Sequence, residues 1–227
     1  MLDKIKHKQI LLRILKDIYA DNNLSKYLGF KGGTMAYLFY DLPRFSVDLD
    51  FDLLDITKEL FVQEKINNIL KKYGSIKQED SKRYSIFFMM SYDIGGHNIK
   101  VDINKRDFAS GYEVKNYLGI DILCMREKYM TAHKMVAMYE RMGEASRDIF
   151  DVHYFLSKHL EIDKDTIKNR TGLEFDIFID SIIKELDKLK SNSLLSGMGE
   201  LIDEKQKFWV KNKMIEEVKL FLNILKM

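Results

Sequence analysis

The sequence has one cysteine, one proline and no long apolar run. A single cysteine, Cys124, excludes an internal disulfide and fits a reducing cytoplasm. Its apolar neighbours favour a buried packing thiol over a nucleophile. No window approaches the ~20 apolar residues that a membrane-spanning helix needs, and the N-terminus is charged where a signal peptide would be apolar. We therefore expect a soluble cytoplasmic protein that does not enter the membrane.

Charges of the two signs nearly balance, with 37 Lys and Arg against 35 Asp and Glu, giving a formal net charge of +2. The molecule as a whole is not a polycation, so any nucleic acid must be held by a local basic patch. The chain of 227 residues, 46% of them hydrophobic, is long enough for one large domain or two small ones.

Hydrophobic periodicity divides the chain into two parts. Up to about residue 120 it predicts helices at 3–20, 34–40 and 57–73, a turn at 93–96, and strands at 28–31, 46–53, 84–92, 98–104 and 112–116. Beyond about residue 126 it predicts only helices, at 126–142, 147–159, 175–190 and 203–226. The pattern favours an α+β fold, with a mixed-sheet domain over residues 1–120 and an all-helical half over residues 121–227.

A glycine pair opens the most informative segment, residues 30–51. Gly32 and Gly33 lack a Cβ atom, so their backbone can adopt positive φ and approach a triphosphate closely. The helix that follows would direct its free N–H groups at the phosphates, and Thr34 could add a hydroxyl donor. The spacings of a Walker loop and of a dinucleotide fingerprint are absent, which excludes those two kinds of nucleotide site.

Three aspartates supply candidate metal ligands. Asp48 and Asp50 are two residues apart on a predicted strand, so both carboxylates point the same way. A third carboxylate is expected on a neighbouring strand, and the candidate is Asp102, which lies between two apolar residues of a later strand. Like charges on one face repel unless a cation lies between them, and Mg²⁺ or Mn²⁺ prefers such oxygen ligands. We expect a two-ion site for in-line displacement, with Asp102 also helping to deprotonate the attacking hydroxyl.

Each of these elements has a simpler interpretation when taken alone. A Gly-Gly pair before a helix is often only a tight turn, and Asp-x-Asp on a strand is often solvated edge decoration. The conjunction favours a functional site: Gly-Gly-Thr is followed by Arg44-x-Ser46-x-Asp48-x-Asp50, and then by an aspartate on a later strand. Arg44 and Ser46 could bind nucleotide or orient the two aspartates.

This segment is similar to the first motif of the polymerase-beta-like nucleotidyltransferase superfamily. In particular, Gly32-Gly33 followed by the run Arg44–Phe51 resembles the AbiEii/AbiGii toxin family of bacterial abortive-infection and toxin–antitoxin systems. The resemblance covers roughly residues 28–156. It implies that Asp48, Asp50 and Asp102 hold the metal ions.

The second half carries a further part of the resemblance. Lys134 to Arg141, followed by Arg147-Asp148-Ile-Phe-Asp151, looks like the family's Lys-x-x-Ala-x-x-x-Arg … Arg-Asp-x-x-Asp-Leu pattern, with Val152 in place of the usual Leu. The resemblance implies that Lys134 is catalytic and contacts the triphosphate, that Arg147, Asp148 and Asp151 help to bind nucleotide, and that the helical half completes the cleft. Without the resemblance, Asp148 only opposes the dipole in the first turn of its helix and Arg141 pairs with Asp151. Lys134 is then a structural partner of a carboxylate in the helical half.

The resemblance implies transfer of a nucleoside monophosphate from an NTP to an acceptor hydroxyl, with the 3′ end of tRNA as the acceptor and a cognate antitoxin as a protein partner. One alternative is a nucleotidyltransferase that modifies a small molecule, such as an antibiotic, or transfers AMP to a protein. Another is a non-catalytic binding module that retains the fold. The C-terminal lysines beside Phe208 and Trp209 could hold RNA, although interspersed glutamates favour a solvated helix face.

Overall fold

The computed structural model describes residues 2–93, 97–189 and 194–226. Contacts between Cα atoms divide the chain into two compact units. The sheet unit comprises residues 1–41, 45–107 and 111–125, and the helical unit comprises residues 42–44, 108–110 and 126–227. The turn predicted at 93–96 lies almost wholly outside the described residues.

Within the described residues, the sheet unit contains seven strands in a mixed sheet. Its strands are β1 (Leu28–Lys31), β2 (Leu49–Leu53), β3 (Ser75–Ser81), β4 (Ser85–Ser91), β5 (Asn98–Asn104), β6 (Tyr112–Tyr117) and β7 (Ile120–Met125). They are ordered β3-β4-β5-β2-β1-β7-β6. The pairs β2–β5 and β1–β7 are parallel, and the remaining neighbours are antiparallel. The mixed sheet confirms the expected fold class.

Three helices of at least eight residues belong to the same unit: α1 (Lys4–Ala20), α2 (Gly32–Phe39) and α3 (Glu59–Leu70). Asp3 caps α1 by accepting the N–H groups of Ile5 and Lys6. Helices α1 and α3 pack on one another and on the sheet. Alternation along the strands directs Phe30, Phe51 and Phe88 into this core, where all three are fully buried.

The helical unit contains α4 (Glu127–Glu140), α5 (Ser146–Ser157), α6 (Lys164–Thr171), α7 (Phe175–Leu186), α8 (Glu204–Asn212) and α9 (Met214–Ile224). Helix α5 packs on α4 and α9, and α7 packs on α6 and α9. Phe155, Phe178 and Val218 are fully buried among them. None of the helices in the described ranges combines the length and apolar character that a membrane span requires.

The division of the chain differs from the expected boundary at residue 120. Residues 120–125 form β7, which pairs with β1 and β6, so the sheet unit continues to Met125. Cys124 lies on this strand, and burial raises the pKa of its thiol to about 12. A buried, protonated thiol packs as a small hydrophobic group, as its apolar neighbours predicted.

Candidate active site

Asp50 and Asp102 lie side by side on the two parallel strands β2 and β5. Their Cα atoms are partners in the register, as are those of the next residues, Phe51 and Ile103. Residues in register on neighbouring strands point to the same face of the sheet. The two carboxylates therefore share one face, while Phe51 and Ile103 are buried on the other.

The carboxylate of Asp102 is electrostatically strained. Burial raises its pKa to about 6, the negative charges of Asp50 and Asp48 add to the rise, and Lys31 and Arg106 oppose it. The charges of Asp48 and Asp50 therefore both reach Asp102 in the fold. A cation between them would relieve the repulsion.

Asp48 precedes β2 instead of lying on it, because the strand begins at Leu49. Hydrogen bonds from Thr34 hold the loop that leads into β2, which contains Ser46 and Asp48. The Thr34 hydroxyl donates to the backbone oxygen of Asp48 and lies 2.9 Å from the hydroxyl of Ser46. Both side chains are buried. Thr34 and Ser46 thus hold the aspartate loop in place.

A buried histidine, His7 on α1, holds the same loop and was not singled out from the sequence. Its Nε2 lies 2.9 Å from the carbonyl oxygen of Val47, and its Nδ1 lies 2.8 Å from the hydroxyl of Tyr92. Because a carbonyl only accepts, Nε2 carries the proton and Nδ1 accepts from Tyr92. Burial, the largest cause, lowers the pKa of His7, which keeps the ring neutral. A lone histidine between lysines on an amphipathic helix gives no sequence signal of this contact.

Gly32 is the first residue of α2 and lies against the side chain of Asp50. Its φ is +80°, and a Cβ atom there would lie 2.2 Å from Oδ2 of Asp50. Any side chain would thus clash with a candidate metal ligand and adopt a left-handed backbone conformation. Gly33 is buried in the first turn of the helix. The N-cap residue, Lys31, makes no side-chain capping bond there.

Asp52, on the same face as Asp50, is enclosed by donors. It accepts from Lys31 Nζ at 2.5 Å, from the Asn104 side-chain amide at 2.6 Å and from the Tyr112 hydroxyl at 2.6 Å. Gly29 makes room for the Tyr112 ring, because a Cβ atom there would lie 2.2 Å from it. Three donors therefore hold the Asp52 side chain in place, and Asp52 positions Lys31 next to Asp102.

The candidates of the second half form an ion-pair cluster inside the helical unit. Arg44 donates to both oxygens of Asp151, through Nε at 2.5 Å and a terminal nitrogen at 2.6 Å. Lys134 Nζ lies 3.1 Å from Asp148 and 3.0 Å from Asp151. Arg141 lies 2.6 Å from the other oxygen of Asp148.

Burial makes this cluster strongly coupled. Asp148 and Asp151 are completely buried, and Arg44 is 4% exposed. The charges of Asp151 and Asp148 outweigh desolvation and raise the pKa of Lys134, while Arg44 and Lys134 outweigh it and lower the pKa of Asp151. Both Lys134 and Asp151 are thus held ionised. This placement agrees with the interpretation of Lys134 as a structural partner of a carboxylate in the helical half. Arg141 pairs with Asp148 instead of the expected Asp151.

The sequence candidates therefore fall into two sets, one in each unit. Arg147 is half-buried in the first turn of α5, one residue before Asp148. The sheet unit holds Gly32, Gly33, Thr34, Ser46, Asp48, Asp50 and Asp102, and the helical unit holds Arg44, Lys134, Arg147, Asp148 and Asp151.

The basic and aromatic C-terminal segment is used within the helical unit. The indole N–H of Trp209 donates to Glu217 at 3.0 Å, and the ring packs 4.4 Å from that of His153. Lys207 pairs with Glu204 at 2.6 Å. These contacts favour a solvated helix face with a structural tryptophan.

The donor chemistry at Asp48, Asp50 and Asp102 suits a divalent cation. In the ranges 2–93, 97–189 and 194–226, however, no three His, Cys, Asp or Glu side chains are arranged as a ready-made metal site. Mg²⁺ in phosphate-transferring sites is commonly held by one or two carboxylates, with substrate phosphates and water completing its shell. The pair Asp50 and Asp102, with Asp48 nearby, fits a site of that kind.

Two solved structures share this architecture over nearly the whole chain. JHP933 from Helicobacter pylori is 18% identical, with a TM-score of 0.61, and the match covers 99% of this chain and 93% of that one. A second Helicobacter pylori protein, described as a candidate nucleotidyltransferase, is 19% identical, with a TM-score of 0.59 and coverage of 99% and 98%. No curated protein matches the sequence. The two matches show that this chain shares the fold of these proteins.

The family follows from the sequence itself. Residues 13–201 match the family described as the nucleotidyl transferase AbiEii toxin of type IV toxin–antitoxin systems. The match spans most of the chain, so the protein belongs to the AbiEii nucleotidyltransferase toxin family. This confirms the resemblance seen in residues 28–156, and membership implies a cognate antitoxin as a partner.

Proposed function

We propose that the protein is a metal-dependent nucleotidyltransferase toxin that transfers a nucleoside monophosphate from an NTP to the 3′ end of tRNA. The observation that carries the proposal is the pair Asp50 and Asp102, in register on parallel strands, with the pKa of Asp102 raised to about 6. Burial, and after it the negative charge of Asp50, disfavours the ionised form of Asp102, so a purely structural carboxylate pair would be unfavourable here. Sites that keep such strain are commonly functional.

In this proposal Asp48, Asp50 and Asp102 hold Mg²⁺ or Mn²⁺ as a two-ion site, completed by the NTP phosphates. The ions would neutralise charge on the phosphates and on the attacking and leaving oxygens. Asp102 accepts the proton of the acceptor hydroxyl as the new bond forms. The hydroxyl oxygen forms a bond to the α-phosphorus, the bond from that phosphorus to the bridging oxygen breaks, and pyrophosphate leaves.

The other residues of the sheet unit position these groups. His7 holds the carbonyl oxygen of Val47, and Thr34 holds that of Asp48. Asp52 holds Lys31 beside Asp102. Gly32 and Gly33 begin a helix whose N–H groups can bind phosphate oxygens. Lys134, Arg147, Asp148 and Asp151 remain proposed nucleotide contacts from the family resemblance, with Lys134 and the two aspartates already paired with one another.

The test is incubation with each α-labelled NTP, total RNA and Mg²⁺ or Mn²⁺, followed by separation of RNA, protein and small molecules. We expect label on the 3′ end of tRNA with wild type and none with Asp50→Asn. Label on a protein or a small molecule would replace tRNA as the acceptor. Absence of label on any species would overturn the enzymatic proposal and leave a binding module.

A further inference from the structure

A cleft of about 270 Å³ lies between the exposed side of α1, helix α2 and Phe45. Its charged lining residues are two lysines, Lys4 and Lys8, one helical turn apart. Its aromatic lining residues are Tyr37, which is half-buried, and Phe45, which is 6% exposed. All of these residues belong to the sheet unit.

Each lysine of this cleft lies over one of its aromatic rings. The Lys4 ammonium lies 5.8 Å from the centre of the Phe45 ring, and the Lys8 ammonium lies 4.9 Å from that of Tyr37. Phe45 supports Tyr37 edge to face, with ring centres 5.6 Å apart. A ligand that satisfies this lining has a flat apolar surface for the Tyr37 ring and anionic groups for the lysines.

The spacing of Lys4 and Lys8 favours a single-stranded nucleic acid over a single small anion as the ligand. Residues four apart on a helix have Cβ atoms about 5–6 Å apart, a separation comparable to that of successive phosphates along a single strand. Bases stack on aromatic side chains whatever their sequence, and lysines follow the backbone. An acidic peptide would use the lysines but has no general use for the ring.

The cleft is joined to the candidate active site through the chain. Phe45 directly precedes Ser46, which Thr34 contacts, and Val47, which is held by His7 on α1. Lys4 and Lys8 flank His7 on that helix. Helix α1 and the segment around Phe45 line this cleft and therefore also set the position of Asp48.

We propose that this cleft binds a single-stranded segment of the acceptor RNA, with one base stacked on Tyr37 and phosphates bound by Lys4 and Lys8. The inference rests on the proposed function for the identity of the acceptor. It adds the place where the acceptor strand is held and the residues that hold it.

The test measures binding separately from chemistry. Fluorescence anisotropy of a labelled single-stranded RNA is followed with the full chain in EDTA without NTP, for wild type, Tyr37→Leu and the double variant Lys4→Gln/Lys8→Gln. We expect Tyr37→Leu to weaken binding about tenfold, the effect of removing one stacked base. The double variant should flatten the slope of log K against log salt by about 0.7 for each phosphate that a lysine no longer neutralises. Lys16→Gln, at an exposed lysine of α1 outside the cleft, should bind like wild type.

Several results would overturn the proposal: unchanged affinity and salt slope in the double variant, an equal fall of affinity in Lys16→Gln, or displacement of the RNA by polyglutamate at matched charge. The lysines are surface residues, so the double variant keeps the test valid if Tyr37→Leu does not fold. Asp50→Asn should bind RNA normally and transfer nothing. RNA binding at this cleft without transfer by wild type would refute the proposed function and leave the cleft assignment intact.

Discussion

The side chain of Asp50 occupies the space that a Cβ atom on residue 32 would need. The Oδ2 atom of Asp50 would lie 2.2 Å from that Cβ, and the Cβ atom of Asp50 would lie 2.8 Å from it. The glycine at the start of α2 therefore has a second task besides its positive φ: it lets β2 bring a carboxylate up to the helix N-terminus.

Gly32→Ala should lower both stability and activity. An L-residue at this φ is strained by on the order of 1–2 kcal/mol, and the displaced Asp50 should lower kcat/KM on the order of 100-fold, the effect of a small misplacement of a reacting group. Gly119→Ala is the matched control, because its φ is +82° and a Cβ there meets nothing within 4 Å. It should show only the strain. Equal kcat/KM in the two variants would show that contact with Asp50 does not matter.

Asp102→Asn should abolish transfer and raise stability when no divalent cation is present. The raised pKa of about 6 means that the folded state disfavours the ionised carboxylate, and this penalty is fully present above pH 6. Removing the charge at pH 8 should stabilise the fold by on the order of 1–2 kcal/mol, allowing for solvent screening. Mg²⁺ should raise the Tm of wild type more than that of the variant.

Asp52→Asn is the contrasting variant on the same face. Its Oδ1 accepts from Lys31 and Asn104, and its Oδ2 accepts from Tyr112. An amide there removes the charge that faces the Lys31 ammonium and the acceptor of the Tyr112 hydroxyl, and should cost about 1–3 kcal/mol. Thermal unfolding in EDTA should show Asp102→Asn to be more stable than wild type and Asp52→Asn to be less stable. A loss of stability in Asp102→Asn would mean that its charge is already compensated by other groups.

The motif around Gly32 and Asp50 could be predicted from the sequence because the features that define it are close together along the chain. Alternation along a strand separates Asp50 from Phe51, and the same alternation separates Asp102 from Ile103. The expectation that Asp102 lies on a strand next to that of Asp50 is met by the pairing of β2 with β5. The parallel direction and the register of this pair depend on the whole sheet and do not follow from the sequence. Asp48 also differs from the expectation, because β2 begins one residue after it.

Two strands and one helix were not predicted, for physical reasons. Strand β3 (Ser75–Ser81) lies at the sheet edge and is mostly polar, so it has no buried face to reveal it. Strand β7 (Ile120–Met125) has a short apolar run that fits a strand or a buried helix equally well. Helix α6 (Lys164–Thr171) buries only Thr166 and Ile167, which leaves almost no apolar periodicity.

Stability should fall as the pH drops below about 6.5, in part because of His7. Burial lowers its pKa in the folded state, with the nearby His97 acting in the same direction, whereas the unfolded chain titrates near 6.5. The unfolded state therefore binds more protons as the pH falls, and stability is lost through the folded pKa. His7→Gln keeps a donor for the Val47 carbonyl and removes this titration.

The measurement is Tm against pH from 8 to 5 for wild type, His7→Gln and His153→Gln. His153 is the matched control, since burial lowers its pKa as well and its ring contacts Glu217 in the helical unit. Each variant should remove its own share of the acid-side loss. An unchanged profile in His7→Gln would show that protonation of His7 does not oppose folding.

Lys134→Met should lower stability strongly, because it leaves two buried carboxylates with less positive charge around them. Lys134 is 13% exposed and contacts both Asp148 and Asp151, which are fully buried. Removing one partner from a buried ion-pair cluster costs on the order of 3–5 kcal/mol. Lys128→Met, on the same helix, removes an ion pair with Asp163 that is 39% exposed on the lysine side, and a pair of that kind contributes about 0–1 kcal/mol.

Kinetics on the same two variants separate the structural role of Lys134 from the triphosphate contact that the family resemblance implies. A structural lysine predicts near-normal kcat/KM for NTP in the folded fraction at low temperature, together with the lowered Tm. A phosphate contact in a partly desolvated site is a charge-assisted hydrogen bond of about 1.5–3 kcal/mol, so its removal predicts kcat/KM roughly 10- to 100-fold lower. Because Asp148 and Asp151 already hold the ammonium from two sides, reaching a phosphate would require Lys134 to exchange one of these ion pairs for it. We therefore expect the loss of stability to dominate, and an unchanged Tm with reduced kcat/KM would refute this expectation.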